Sequence, residues 1–591
     1  LEFGLRISDF GFFFGPASMN SMASTLPLQH IKGEPLSEAQ RDYLEGFFAG
    51  LAARGLKFSD VEPAPQLEKS VPPADLIFEE RVKRELHPLD AYPQLLENAA
   101  HNQAPDKEST FRFKWNGLFY LAPNKEGFMA RLRIPGGLLK TYQWRELAAI
   151  AKELTTGYVQ ITTRANLQMR LIQPKDAPEV LRRIQAVGLH TRGAGADNIR
   201  NLTANPTAGL DPFELIDVTP LCQQLAQLII NDRSFYDLPR KFNIAIDGGG
   251  LIGTVEDTND IGAKAVKVGG EILFRIALGG ATGHQAFARD LGVLVPPAEL
   301  NQVILALVRV FVANGNRSDR KRARLKHLLE SWTLEKYLAE TEKVLGKELR
   351  RAPLEPGAIQ YPGQKLPHSH IGVYRQKQSG LNYVGVAMPV GQMSPKQMLR
   401  VAELADLYGS GELRLTVWQN FIIPNVSDSY VETVRKALRR MGFDTEQSNL
   451  RSGLVACTGN SYCKYAQANT KGHALALADY LEKKLTLDLP LNIHLTGCPH
   501  SCAQHYMGDV GLLATKVRGQ EAYHVFIGGG FGANQAVGRQ VFNGIPFEEL
   551  KPTLERMLKG YLRRRDPGET FQCFTQRHDL NTLQAIFTND E

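Results

Sequence analysis

The chain has 591 residues, 43% hydrophobic and 22% charged, which is too long for one core and suits a protein of three or four domains. Lys and Arg outnumber Asp and Glu by 69 to 62, a net charge of +7. That excess does not point to nucleic acid; it suits small anionic ligands or an acidic partner where the basic residues cluster. Six cysteines exclude a disulfide-stapled secreted scaffold, and no apolar run is long enough to span a membrane.

The first residues, LEFGLRISDFGFFFGPAS, do not begin with Met, and no basic segment precedes the short apolar FGFFFG. Residues 1–23 therefore read as a disordered leader, with Met19 or Met22 as a start and a cytoplasmic location as the default. Residues 24–110 read as an N-terminal wrapping segment. Ser37 and Gln40 form a capping box ahead of an apolar-periodic helix, and the Pro-rich VEPAPQLEKSVPPAD follows.

An internal repeat organises the rest. The segment RIPGGLLKTYQWRELAAIAKELTTGYVQITTRANLQM, from Arg133, aligns without a gap on AMPVGQMSPKQMLRVAELADLYGSGELRLTVWQNFII, from Ala387, at a constant offset of 254. Pro135 falls on Pro389, Gly137 on Gly391, Gly157 on Gly411, Thr162 on Thr416 and Asn166 on Asn420. Each copy predicts strand, Gly/Pro turn, amphipathic helix, Gly turn, strand. The helical faces are Leu147, Ile150, Ala151 and Leu154 in one copy and Val401, Leu404, Ala405 and Tyr408 in the other. Ser394, Pro395 and Gln397 occupy N-cap, N1 and N3 of the second helix. Downstream, FNIAIDG around Asn243 matches LNIHLTG around Asn492, and DIGAKAVKV from Asp260 matches DVGLLATKV from Asp509, both at an offset of 249. A glycine cluster, LGGATG or IGGGFG, follows each. The duplication covers most of residues 115–535 and implies two copies of one α+β module pair, related by a pseudo-two-fold, with a site at their interface.

Between the copies, VILALVRVFVA from Val303 reads as a buried helix. The basic run NGNRSDRKRARLKHLLESW from Asn314 is either a solvated helix or a patch contacting an anionic ligand or acidic protein, and composition does not separate the two. No G-x-G-x-x-G fingerprint follows a strand; GGGFGANQAVG near Gly528 is Gly-rich but a poor nucleotide loop.

Four of the six cysteines cluster, as Cys457-x5-Cys463 and Cys498-x3-Cys502. Copy one has no cysteine at the matched positions, which argues against packing as their purpose. Structural zinc favours two to four residues between paired ligands, so C-x5-C is wide for it. A [4Fe–4S] cluster takes four thiolates and tolerates varied loop spacing, and Gly459, Gly497 and Pro499 suit a chain turning close to inorganic sulfur. Spacing favours the cluster over zinc without excluding zinc. Cys222 and Cys573 stand alone and read as packed thiols.

C-x5-C followed by T-G-C-P-x-S-C, with the duplicated P-G-G and T-T-R segments, resembles the assimilatory sulfite and nitrite reductases over roughly residues 110–540. These are sirohaem and [4Fe–4S] enzymes that draw electrons from ferredoxin. The resemblance implies an α+β fold with two ferredoxin-like half-domains and two mixed α/β sirohaem/cluster domains. It implies that Cys457, Cys463, Cys498 and Cys502 bind the cluster and that Cys502 also bridges to the sirohaem iron as its axial ligand. Arg131, Arg200, Lys241 and Asn243 are the implied substrate-facing residues; Arg164 and Gln168, with Arg170, are the implied sirohaem contacts. Members resembling sulfite reductases carry a second Lys where Asn243 stands, whereas those resembling nitrite reductases carry Asn and read ACTG, as in Ala456–Gly459.

The expectation is therefore a ferredoxin-dependent reductase taking nitrite to ammonia by six electrons. Sulfite reduction is the alternative within the class, and an iron–sulfur carrier or regulator the alternative outside it. Partners are a small acidic electron carrier and the anion, with no nucleic acid and no membrane, and the chain acts as a monomer. The expected division is 111–190 and 366–445 as half-domains, 191–365 as the sirohaem-binding domain, and 446–591 as the cluster domain with C-terminal helices.

Overall fold

The computed structural model describes residues 76–120, 127–363 and 365–588, with the backbone of the short strands His30–Ile31 and Glu34–Pro35. The chain divides into two compact units, Leu1–Pro73 and Ala74–Glu591. In the first, the two short strands pair antiparallel. The expected leader, the Ser37–Gln40 capping box and the Pro-rich stretch lie outside the described residues. The second unit carries everything that follows.

The repeat folds as two similar halves. Copy one places strands Phe128–Arg131, Val159–Ile161 and Leu167–Ile172 against helices Thr141–Leu154 and Ala177–Ala186. Copy two places Leu381–Val386, Glu412–Leu415 and Phe421–Ser427 against Pro395–Tyr408 and Val431–Arg440. Ser394 caps its helix as expected, exchanging hydrogen bonds with Gln397. The apolar faces of the two long helices share one continuous core: Leu147, Ile150 and Ala151 belong to the same cluster as Val401, Leu404 and Ala405.

The halves also exchange strands. Leu138–Lys140 of copy one adds to the edge of the second sheet beside Glu412–Leu415. Gln392–Met393 of copy two adds to the edge of the first beside Val159–Ile161. The glycines just before these strands show why no side chain is tolerated there. A Cβ on Gly137 would lie 2.5 Å from the Leu415 carbonyl oxygen, and one on Gly391 would lie 2.7 Å from that of Ile161. These contacts are reciprocal across the pseudo-two-fold.

The larger domains repeat one topology. Ile244–Asp247 runs parallel to Ile261–Val268, which continues antiparallel through Glu271–Leu278 and Arg289–Val295. Ile493–Thr496, Val510–Val517, Gln520–Ile527 and Arg539–Pro546 do the same. Helix Leu300–Asn314 is buried along most of its length, as its apolar run predicts. The glycine clusters serve backbone approach. A Cβ on Gly280 would lie 2.5 Å from the carbonyl oxygens of Asp257 and Asn259, and one on Gly529 equally close to those of Tyr506 and Gly508. Cys222 is buried, but Cys573 is exposed on helix Phe571–Arg577, so the packed reading of that thiol is corrected. Among the described residues no helix is long and apolar enough to cross a membrane.

Candidate active site

Both cysteine pairs leave the same end of one sheet. Strand Leu454–Ala456 lies parallel beside Ile493–Thr496. Cys457 follows the first strand directly and Cys498 follows the second after Gly497, so the chain direction brings both loops together. The Gly497 N–H donates to Cys457 Sγ at 3.1 Å, and Thr470 Oγ1 lies 3.5 Å from the same sulfur. Cys463 N–H closes a turn onto the Gly459 carbonyl at 3.1 Å. The second loop is held from both sides. Thr163 of copy one donates to the Cys502 carbonyl at 3.0 Å, while His494 Nδ1 lies 2.8 Å from Ala503 O and His505 Nδ1 2.9 Å from Ser501 Oγ. Among the described residues no three His, Cys, Asp or Glu side chains converge as a single-ion site. The four thiols instead share the wall of one cavity. Burial pushes the Cys498 thiol up to about 12 and raises Cys457 as well.

That cavity encloses about 700 Å³ where the two copies meet. Among the described residues ten arginines and lysines line it, with no Asp or Glu. Every site residue expected from sequence is on its wall. Arg131 ends strand Phe128–Arg131, lies over the Phe119 ring at 4.6 Å and donates to Ala194 O at 3.3 Å. Burial brings it down to about 10, opposed by the Cys502 sulfur. Arg200 donates to Ala194 O at 2.7 Å and Ala196 O at 2.8 Å, and its Nε is buried without a partner. Lys241 is held down to about 7, first by burial, then by Arg324; Cys502 opposes this. Asn243 donates its backbone N–H to Asp260 at 2.8 Å, leaving its side-chain Oδ1 buried and unpartnered. Arg164 donates to Asn259 Oδ1 at 2.8 Å and is lowered by burial to about 10. Arg170 gathers Gln168 Oε1 and Thr458 Oγ1, each at 2.6 Å, and Gln160 Oε1 at 3.1 Å, tying the half-domain sheet to the first cysteine loop.

Sequence reasoning missed Arg240, Arg320, Lys321, Arg324 and Lys471, all on the same wall. Three come from the basic run whose role composition leaves open. Two of its arginines face inward, with Arg324 on Asp260 at 2.8 Å and Arg320 bidentate on Asp197 at 2.7 and 2.8 Å, while Arg322 stays exposed on Glu330. Lys471 points its ammonium at backbone carbonyls of Val390 and Ala456 and is held down to about 7 by burial. The signal that could have found the run was its Arg spacing against buried Asp197 and Asp260, which a single sequence does not reveal.

Fold and site together define a class: a duplicated α+β protein that offers four thiols and a wall of cations to a bulky, electron-rich, polyanionic group. Two family models match the chain. The nitrite and sulphite reductase 4Fe-4S domain matches residues 195–349 and 447–587. The nitrite/sulfite reductase ferredoxin-like half domain matches residues 120–187 and 374–441. The ferredoxin–nitrite reductase of Synechococcus elongatus is 37% identical over 76% of this chain and 88% of its own. That of spinach, Spinacia oleracea, is 31% identical over 85% of each. A ferredoxin sulfite reductase of Mycolicibacterium paratuberculosis is 33% identical over 77% of this chain and 83% of its own. The solved NirA protein of Mycobacterium tuberculosis superposes with a TM-score of 0.79 at 29% identity, covering 86% of this chain and 97% of that one. The chain belongs to the nitrite and sulphite reductase family.

Proposed function

We propose that this protein is a ferredoxin-dependent nitrite reductase, carrying nitrite to ammonia by six electrons at a sirohaem coupled to a [4Fe–4S] cluster. The observation that carries the reading is the pairing, among the described residues, of four thiols with ten cations and no carboxylate around one cavity. A zinc ion needs its four donors about 2.3 Å from a single point; thiols spread along a wall suit a cage of metal and sulfide. The donor set therefore fits the cluster, and the cationic wall fits a tetrapyrrole bearing several carboxylates. In this reading Cys457, Cys463, Cys498 and Cys502 would hold the cluster, with Cys502 the thiol shared with the sirohaem, and Arg164, Gln168 and Arg170 would hold the sirohaem. When bound, the two groups would supply the electrons for reduction of a small anion.

The protein's own work is charge and protons. Arg131, Arg200 and Lys241 meet the anion with fixed positive charge, which polarises the oxygens as they depart. Lys241, held near neutrality by burial, releases a proton at neutral pH more readily than an ordinary lysine. Asn243 offers an amide with one buried oxygen free to accept a hydrogen bond. A neutral group there suits nitrite better than sulfite, which arrives with more negative charge. The half-domains 111–190 and 366–445 form the frame, with 191–365 and 446–591 as the sirohaem and cluster domains. The electron donor is a small acidic carrier, drawn to a chain of net charge +7. The test is purified, cofactor-loaded protein with reduced viologen. Nitrite is expected to yield ammonium, with sulfite the slower substrate. Loaded protein that reduces neither anion would refute the assignment, and faster sulfite turnover would reverse the substrate.

A further inference from the structure

Asp197 is fully buried, yet it lies behind the cavity wall and not on it. Its carboxylate takes Arg320 bidentate, and Arg240 approaches at 3.6 Å. Both guanidiniums line the cavity. Two carboxylates of helix Phe78–Glu85 extend this network outward. Glu79 binds Arg320 Nε at 3.2 Å, and buried Glu80 binds Lys83 at 2.5 Å and Arg317 at 3.0 Å. Lys83 and Arg317 both reach Asp237, at 3.1 and 3.2 Å, and Lys83 also caps the Leu238 carbonyl at 3.1 Å. Glu79, Glu80, Asp197 and Asp237 thus face Lys83, Arg240, Arg317 and Arg320, four charges of each sign. A network balanced in this way around a buried centre, Asp197, Glu80 and Lys83, fixes geometry more than it adds stability, because desolvation offsets much of the attraction.

We propose that Asp197, braced by Glu79 of the N-terminal helix, is the positioning residue that sets Arg240 and Arg320 against an anionic ligand in the cavity. The inference rests on the proposed reductase function, and deepens it by giving helix Phe78–Glu85 a part in the site. The ligand chemistry is a carboxylate or small oxyanion. A guanidinium recognises such groups best when its plane is fixed; Asp197 holds both terminal nitrogens of Arg320 and Glu79 its Nε, which fixes the plane and aims the remaining N–H bonds. Two sources share that chemistry: the side chains of the tetrapyrrole and the incoming nitrite.

The experiment uses the full chain carrying its cofactors, in Asp197→Asn, Asp197→Glu and Glu79→Gln variants. Tetrapyrrole content per chain and its loss on dilution are measured beside the nitrite Kd from spectral titration and the split of kcat from KM. Asp197→Asn is expected to weaken one of the two by about 10-fold, as loss of a group orienting a ligand-binding side chain does. Faster tetrapyrrole loss assigns the arginines to the cofactor; a raised Kd and KM with near-normal kcat and full loading assigns them to nitrite. Asp197→Glu should recover part of the loss, and Glu79→Gln, on a partly exposed pair, should move the same readout by about 2-fold. Glu108→Gln, which removes pairs to Arg81 and Arg112 and none to Arg320 or Asp197, is the control. Should Asp197→Asn fail to fold, Glu79→Gln decides. Normal loading, Kd and KM in Glu79→Gln, or in a folded Asp197→Asn with lowered melting temperature only, would overturn the proposal. Wild type that takes up no tetrapyrrole would instead overturn the function beneath it.

Discussion

Lys241 places an ammonium in a wall already crowded by Arg200, Arg240 and Arg324, and burial with these neighbours holds it down to about 7. The unfolded chain holds that proton up to the ordinary lysine value of about 10.4. Between these values the unfolded state binds more protons, so through this residue the cofactor-free protein gains stability as pH rises across the window. Melting curves of cofactor-free wild type and Lys241→Met check this: the wild type should gain on the variant from about pH 7 to 10, and parallel curves would contradict the assignment. In the proposed function Asn243 sets the choice of anion. Asn243→Lys should raise the sulfite-to-nitrite ratio of kcat/KM by about 10-fold, the effect of ~1.4 kcal/mol, and steady-state rates with both anions check it. Much at this scale was legible. The cysteines announced themselves by clustering in one copy alone, and Arg131, Arg200 and Lys241 entered through motifs that carry the family resemblance. Arg320 and Arg324 stayed hidden because a basic run reads the same whether it faces water or a buried aspartate.

The elements work through exchange. Gly137 and Gly391 let the backbone of each half pass against a strand of the other, where a Cβ would press on the carbonyl of Leu415 or Ile161. Both glycines also sit at positive φ, 75° and 72°, which L side chains resist. Gly137→Ala and Gly391→Ala should therefore each cost about 1–3 kcal/mol of stability, read from urea unfolding. The pseudo-symmetry makes the two costs similar, and a cost at only one site would show that the exchange is unequal. The helices and their faces were legible because a period near 3.6 runs through fourteen residues in each copy. The swap was not. Leu138–Lys140 and Gln392–Met393 are strands of three and two residues, too short for their alternation to say which sheet they join.

At the scale of the molecule, duplication followed by divergence explains the arrangement. One copy keeps Ala245 where the other has His494, and Gly248 where the other has Gly497 leading into Cys498, so a shared frame carries a thiolate site once. The two half-domains share one core and lend each other strands. Residues 374–441 expressed alone should consequently show no cooperative unfolding transition by circular dichroism; a sharp one would mean the exchanged strand is dispensable. Sequence periodicity made the duplication and its interface legible. It could not reveal that helix Phe78–Glu85 reaches the cavity wall through Glu79 and Arg320, because that link joins residues more than two hundred positions apart. The central claim is that the four thiols hold an iron–sulfur cage beside a tetrapyrrole, and metal analysis of loaded, active protein tests it most directly. Loaded protein should contain about five irons per chain, four in the cage and one in the tetrapyrrole, with a haem-like visible spectrum. Cys502→Ser should lose the coupling between the centres together with turnover. Active protein without iron, or normal turnover in Cys502→Ser, would contradict it.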